Sequence, residues 1–123
     1  MGHVNHAVYL QYMETARVEL AKRLGMIRGV SNSSFIVAMA HAEYKQPIRD
    51  EKRVTVSCWV SRIGGRSWDL DYTIGSGRTM FAKGRTTQVG YDYKSRRTVR
   101  VTEKTRKNLE SYTGLQMPFR TAL

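Results

Sequence analysis

The chain begins with MGHVNHAVYLQYMETARVELAKRLG (residues 1–25), and this stretch predicts one long amphipathic helix. Asn5 is suited to cap the start of the helix, and Gly25 is suited to end it. The pattern predicts a helix over residues 6–24 whose apolar face must pack against another element. Apolar side chains recur at helical spacing at Tyr9, Tyr12, Met13, Ala16, Leu20 and Leu24.

Four strands are predicted after the helix, at the short spacing of an antiparallel meander. The run from Phe35 to Tyr44 predicts the first strand, and its apolar first half indicates burial on both faces. Gly84 predicts a bend or bulge in the fourth strand. The other three strands are predicted over residues 54–60, 67–74 and 79–91, with glycine turns at 64–65 and 75–77.

A second, short helix is predicted near the end of the chain. Thr102 is suited to cap it, Leu109 and Tyr112 would face the sheet, and Gly114 would end it. Residues 115–123 are predicted to be an irregular or docking segment. With no repeat or linker in view, residues 1–123 predict a single α+β domain, an antiparallel sheet wrapped around the one helix long enough to cover it.

The composition narrows the classes of protein to consider. The chain has 123 residues, of which 41% are hydrophobic, so it can build one core. Cys58 is the only cysteine, which excludes an intrachain disulfide and favours a reduced, cytoplasmic setting. No apolar run reaches the length of a membrane span, and no signal peptide is visible. The net charge of +11 favours polyanionic partners, and it is densest over residues 94–107.

Several motifs occur in the order of a known family. The first is Gly2-His3-Val4-Asn5-His6-Ala7-Val8-Tyr9, followed by Tyr12, Glu14, Ala16 and Arg17. Further along are Glu43-Tyr44 before Pro47, Gly65-Arg66-Ser67 at a hairpin, and Thr86-Thr87 ahead of Asp92. Together they cover essentially the whole chain, which resembles the hotdog-fold acyl-CoA thioesterases of the 4-hydroxybenzoyl-CoA thioesterase type.

The resemblance implies hydrolysis of an acyl-CoA thioester, without a metal or redox cofactor. It implies that the first backbone N–H groups of the long helix polarise the thioester carbonyl. His6 falls on a family histidine that orients the carboxylate or water, or binds the thioester. The candidate catalytic residues are His6, His3 and Asn5, although Asn5 is also the predicted cap. The candidate substrate-binding residues are Gly2, Tyr9 in the acyl pocket, and Arg66 and Ser67 at the nucleotide portion, with Arg96, Arg97 and Lys104 as further cations.

One element of the family pattern has no match in this sequence. The family carboxylate, an Asp three residues before the glycine that matches Gly2, would lie before Met1, as would the family's first strand. We expect Met1 to be an internal methionine of a longer protein, because losing a strand would leave an unpaired sheet edge. The alternative is a short form that has lost this carboxylate, in which case Glu14 and Glu43 are the substitutes to examine.

The resemblance also implies partners. We expect an acyl-CoA substrate and a homodimer or homotetramer with the active site between subunits. The missing carboxylate motivates a second hypothesis, a non-catalytic acyl-CoA-binding or structural hotdog protein. Nucleic-acid binding would depend on charge alone, since no recognised motif is present, and neither nucleic acid nor a membrane is expected as a partner. Besides His3 and His6 the sequence has only His41, in a predicted strand, so no metal site is expected.

Overall fold

A computed structural model describes residues 6–24, 35–47, 53–113 and 117–122. Five strands form one antiparallel sheet in the order β1-β4-β3-β2-β6, and the short β5 pairs with the end of β4. None of the helices in the described ranges is both long and apolar enough to span a lipid bilayer. The elements are α1 (His6–Arg23), β1 (Phe35–Tyr44), β2 (Arg53–Ile63), β3 (Ser67–Ser76), β4 (Thr79–Asp92), β5 (Arg97–Thr98), α2 (Glu103–Glu110) and β6 (Met117–Ala122).

Helix α1 lies against one face of the sheet, and the core forms between them. The predicted helix over residues 6–24 is confirmed to within one residue, since the Leu24 amide still donates to the Leu20 carbonyl at 3.0 Å. The predicted apolar face is buried, as are alternate residues of β2 and β3, so one face of each strand contacts the core. The predicted cap Asn5 and the predicted stop Gly25 lie outside the described residues.

The Met13 side chain of α1 packs directly on the sheet at Gly84 of β4. A Cβ at this position would lie 2.7 Å from Met13 Cε and 2.8 Å from the carbonyl oxygen of His41. The predicted bulge at Gly84 is wrong, because Gly84 pairs in register with Ala42 on β1 and Tyr72 on β3. The missing side chain therefore makes room for Met13, and the register shifts of these pairings lie elsewhere, at Ala38 on β1 and at Phe81 on β4.

A chain of polar side chains is buried beneath the helix. Tyr72 Oη and Thr86 Oγ1 share a hydrogen bond of 2.6 Å, and Thr86 also donates to Gln88 Oε1. Gln88 Nε2 then donates to the Trp68 carbonyl at 3.0 Å. Each buried group thus has a partner, which removes the penalty that an unpaired polar atom would carry in the core.

Strand β1 is an edge strand, and its burial differs from the prediction. Phe35 is buried, but Val37 and Met39 are 39% and 49% exposed, whereas burial on both faces was predicted. The prediction is wrong for the single chain because β1 pairs only with β4 among the described strands. An exposed apolar edge strand is a ready template for pairing with another chain.

The opposite edge of the sheet is covered by the end of the chain. Residues 115–123 are predicted to be an irregular or docking segment. Met117–Ala122 is not irregular but forms β6, which docks on the sheet by pairing antiparallel with β2. Pro118 lies in this strand, where proline is tolerated because β6 is at a sheet edge. The edge beside β2 is thus paired. Strand β5 is also new, since it is not among the four predicted strands.

Helix α2 follows its prediction closely. Thr102 caps it, since its Oγ1 accepts a hydrogen bond from the Thr105 amide at 3.1 Å. Leu109 is buried and Tyr112 packs partly against the core, as predicted. The helix ends at Glu110, and the predicted stop Gly114 lies outside the described residues.

Adding a methyl group at Gly84 tests the close approach of α1. In Gly84→Ala the Met13 side chain can shift but the His41 backbone cannot, so we expect a loss of about 1–3 kcal/mol in the free energy of unfolding. The control is Gly65→Ala, whose Cβ would have its nearest neighbour at 3.5 Å and should cost less than about 0.5 kcal/mol. Urea unfolding at equal protein concentration measures both, and equal midpoints for the two variants would contradict the packing.

The reactivity of the Cys58 thiol tests whether solvent reaches the core. Burial raises the pKa of its thiol to about 12, so the reactive thiolate is scarce at neutral pH. We expect the native protein to react very slowly with Ellman's reagent at mildly alkaline pH, and the urea-unfolded protein to react at once with one thiol per chain. Rapid labelling of the native protein would mean that the space between α1 and β2 is open to solvent.

Candidate active site

The start of α1 is the first part of the candidate site. The helix begins at His6, and its first turn contains no acidic residue. The leading backbone N–H groups of a helix have no partners within it, and the helix dipole makes this end positive. The predicted residues Gly2, His3 and Asn5 lie outside the described residues, and for His6 the structure describes the backbone only.

Tyr9 lies in the first turn of α1 and is buried. Its hydroxyl points to the Gln46 carbonyl at a long 3.5 Å, and its ring meets the Tyr44 ring edge-on, with centroids 4.9 Å apart. Leu10 and Tyr44 beside it are 45% and 40% exposed. Leu10 and Tyr44 thus form an exposed apolar surface beside the start of the helix, and the buried ring of Tyr9 packs against Tyr44.

The β2–β3 hairpin is the second part of the site. The Gly64 amide donates to the Ser67 carbonyl at 2.7 Å and closes the turn. Arg66 is exposed, and its Nη1 donates to the Thr98 carbonyl at 3.1 Å. Ser67 Oγ accepts a hydrogen bond of 2.8 Å from Arg62, which leaves the hydroxyl hydrogen free to donate.

The segment that follows β5 brings two more arginines to this hairpin. The Val101 amide donates to the Gly65 carbonyl at 2.8 Å, and Arg106 Nη2 donates to the Gly64 carbonyl at 2.7 Å. The guanidinium group of Arg100 lies over Gly65. The sequence did not offer these two as candidate binding residues, since only the charge density of residues 94–107 included them. We call Arg66, Arg100 and Arg106 the hairpin cations.

Five further cations are exposed around the hairpin cations, on the β4–β5 turn, on β5 and on α2. Unlike Arg66 and Arg106, they do not donate to the backbone carbonyls of the hairpin or of β5. They are Lys94, Arg96, Arg97, Lys104 and Lys107, which we call the rim cations. The sequence had proposed Arg96, Arg97 and Lys104 for the nucleotide portion, but the structure does not join them to the hairpin as it joins Arg100 and Arg106.

Cations on the outer face of the sheet, opposite α1, are paired with carboxylates. Arg62 binds Asp69 at 2.9 Å and Arg85 binds Asp71 at 2.7 Å. Burial raises the pKa of each aspartate, but the hydrogen bonds from the arginines and their neighbours outweigh it and lower both pKa values. Within the described part of the chain, no hairpin or rim cation has a carboxylate oxygen within 4.0 Å. These groups are therefore available to an anionic ligand.

Glu43 and His41 also lie on the outer face. They line an open groove of about 380 Å³ together with Met39, Asp71 and Lys83. A hydrogen bond from Lys83 lowers the pKa of Glu43, and Lys45 lies 3.6 Å from the same carboxylate. Glu43 is thus an ion-paired surface group on the side of the sheet away from α1.

The two parts of the site lie at opposite ends of the sheet. Tyr9 contacts Tyr44, beside the start of β4, whereas the Gly90 amide near the end of β4 donates to the Arg66 carbonyl at 2.9 Å. The residues between Phe81 and Gly90 span about 30 Å of strand. One chain therefore does not bring Tyr9 together with Arg66 and Ser67.

Comparison with known proteins agrees with this architecture. The sequence matches the profile of the thioesterase-like superfamily over residues 1–109. No curated protein matches it. A thioesterase from Thermus thermophilus, crystallised with coenzyme A and zinc, is 28% identical, with a TM-score of 0.80 over 92% of this chain and 83% of that one.

Two more distant structures share the fold. A protein described as a predicted thioesterase from Bacillus stearothermophilus is 21% identical, with a TM-score of 0.84 over 91% of this chain and 84% of that one. A 1,4-dihydroxy-2-naphthoyl-CoA thioesterase from Synechocystis is 16% identical, with a TM-score of 0.73 over 88% and 83%. The fold is the hotdog fold, as the sequence predicted. Because the profile match spans most of its length, the chain belongs to the thioesterase-like superfamily.

Proposed function

We propose that this protein hydrolyses acyl-CoA thioesters to a free acid and coenzyme A, at a site between two copies of the chain. Membership of the thioesterase-like superfamily supports thioester hydrolysis in general. The Thermus thermophilus relative was crystallised with coenzyme A, which supports the same carrier here. The single observation that carries the subunit arrangement is the exposed, apolar edge of β1.

Pairing two β1 edges would join the two parts of the site. Two identical strands that pair antiparallel in one sheet are related by a two-fold axis. The Phe35 end of β1 lies beside β4 at Gly90, near the hairpin cations, and the Tyr44 end lies beside the start of α1. In such a dimer, the hairpin cations of one subunit would therefore lie beside the start of α1 of the other subunit.

The start of α1 suits the reacting carbonyl. Water attacks the thioester carbon, the carbonyl oxygen gains negative charge, and the carbon–sulfur bond breaks to release the thiol and the acid. Backbone N–H groups at a helix start donate to such an oxygen without reorganising, and one donor of this kind is typically worth about 10²–10³ in rate. His6 occupies this end of the helix and is our first candidate to orient the water. His3 and Asn5 precede it in the sequence.

The hairpin cations suit the nucleotide portion of coenzyme A. Its phosphates need donors at a surface, and arginine offers them in a planar fork. Arg66 and the Ser67 hydroxyl lie at the turn, and Arg100 and Arg106 pack against it. The exposed apolar surface of Leu10 and Tyr44, supported by Tyr9, is our candidate wall for the acyl group.

The mechanism also needs a general base to take a proton from the attacking water. Glu43 is ion-paired on the outer face, and Glu14 is exposed about two turns along α1 from His6. We assign neither of them as the base. The family Asp has no counterpart in the 123 residues. Binding of acyl-CoA without turnover would favour the non-catalytic alternative.

Release of free thiol from a panel of acyl-CoAs tests the reaction. The chain should be compared with a form extended by the upstream in-frame codons, if these encode Asp at the family spacing. We expect the extended form to be faster by about 10²–10⁴, the usual contribution of a general base. Equal rates would mean that the general base is one of the 123 residues, and His6, Glu14 and Glu43 would then be the residues to substitute.

A substitution at the hairpin tests the nucleotide site. Arg66→Ala should raise KM for acyl-CoA about tenfold with little change in kcat, because a charge-assisted hydrogen bond to phosphate is lost. The matched control is Arg78→Ala, an exposed arginine at the β3–β4 hairpin. An unchanged KM in Arg66→Ala, or an equal rise in both variants, would exclude the hairpin as the nucleotide site.

The β1 edge is tested by adding a charge to it. Met39→Lys places two like charges near the proposed two-fold axis, so we expect the mass in solution to fall from that of a dimer to that of one chain. Met80→Lys is the control, since Met80 is similarly exposed, at 43%, but lies on β4 away from this edge. Sedimentation equilibrium measures both. A Met39→Lys protein with the mass and activity of the unaltered protein would contradict the shared site.

A further inference from the structure

We propose that Arg17 of α1 is a positioning residue for the reaction at the start of that helix, and that it acts through a one-directional chain of hydrogen bonds from its guanidinium group to the backbone of β3. The inference rests on the proposed function, because the start of α1 is the proposed place of the reacting carbonyl. It goes further by giving a role to a side chain that is directed into the core.

Arg17 is a half-buried cation four residues after Met13. Its guanidinium group interacts with the Tyr72 hydroxyl through a hydrogen bond and with the Cys58 thiol through its charge. Tyr72 and Cys58 are buried and pair with each other across β3 and β2. Among the described residues, no carboxylate oxygen lies within 4.0 Å of Arg17. A cation that loses water without gaining a carboxylate is costly, so the hydrogen bond in the core has to offset that cost.

The chemistry of each group fixes the direction of the chain. The Trp68 carbonyl can only accept, so Gln88 turns its Nε2 toward this oxygen, at 3.0 Å, and its Oε1 toward Thr86. Thr86 therefore donates to Gln88 and accepts from the Tyr72 hydroxyl at 2.6 Å. Burial raises the pKa of Tyr72, so this hydroxyl keeps its proton at neutral pH. The Tyr72 oxygen is left to accept from Arg17, which has donors only.

The chain gives α1 a directional attachment to the sheet. Met13 is held at Gly84 by packing alone, and a flexible apolar side chain of this kind adapts when a helix shifts. Hydrogen bonds that point the same way strengthen one another, and each weakens steeply when its angle changes. Arg17 therefore restricts the tilt of α1 about the Met13 contact.

A small tilt of α1 is enough to disturb the site. His6 lies seven residues before Met13, which is about 10 Å along a helix, so a tilt of about 10° would move the start of α1 by about 2 Å. A misplacement of about 1 Å at reacting groups can cost about 10² in rate. The attachment at Arg17 thus affects the rate although it lies outside the site.

Steady-state kinetics of acyl-CoA hydrolysis test the role of Arg17. We expect Arg17→Met, which keeps the length of the side chain and removes its donors, to lower kcat at least about tenfold with KM unchanged. Arg17→Lys keeps a donor and the charge, so it should recover most of the rate. Tyr72→Phe breaks the same link, and the double variant Arg17→Met/Tyr72→Phe should be no slower than either single variant.

A core variant without polar contacts separates positioning from stability. Val56 is buried on β2, and Val56→Ala should lower the midpoint of urea unfolding while kcat stays unchanged. Equal losses of kcat in Val56→Ala and Arg17→Met would reduce Arg17 to a structural residue and overturn the proposal. An Arg17→Lys protein as slow as Arg17→Met would overturn it as well.

Neutron diffraction from crystals of the unaltered, deuterated protein tests the chain without any variant. We expect the deuteron on Tyr72 Oη to lie toward Thr86, and a deuteron directed toward Arg17 would overturn the proposal. Failure of this inference is distinguishable from failure of the proposed function. If the unaltered protein hydrolyses acyl-CoA and Arg17→Met has the same kcat, only the positioning role fails. If no form hydrolyses any thioester, the proposed function fails and the positioning role fails with it.

Discussion

The close contact between α1 and the sheet at Gly84 is the constraint on which the other features depend. One helix has to bury its apolar stripe, and a sheet with one apolar face has to be covered. The glycine on β4 lets the Met13 side chain occupy the space that a Cβ would fill. With the helix fixed there, its start lies over the Tyr44 end of β1, and its other end lies near α2, where Asn108 donates to the Leu24 carbonyl at 3.2 Å.

The placement of the helix leaves the sheet with two unlike edges. Strand β6 pairs with β2 on one side, so the backbone groups there are satisfied. Strand β1 on the other side has exposed apolar side chains and no second partner strand among the described residues. The charges are divided in the same way. Ion pairs neutralise the outer face, whereas cations are left unpaired at the end where the β2–β3 hairpin meets α2. The proposed dimer uses the first of these regions, and the proposed nucleotide site uses the second.

Much of the fold followed from local patterns. The spacing from Tyr9 to Leu24 predicted α1, and alternation along β2 and β3 predicted which residues face the core, because burial of one face imposes the period of the element. The errors came from residues whose state depends on a neighbour in space. Gly84 is compatible with a bulge or with a close helix contact, the run at Phe35 with an internal or an edge strand, and the end of the chain with a loop or a strand. Local sequence does not separate these alternatives.

By itself, the sequence predicted α1, the four long strands, α2 and the α+β class, because helix and strand periodicity are properties of neighbouring residues. The order of its short motifs carried the resemblance to thioesterases, and it offered Arg66 and Ser67 as candidates, which lie together at one turn. Only the tertiary structure decided that Arg100 and Arg106 pack against that turn, since they are distant along the chain and meet it through backbone carbonyls. It likewise decided that Tyr9 and Arg66 lie at opposite ends of the sheet. The length of β4 holds them apart, and no pattern along the chain encodes that distance.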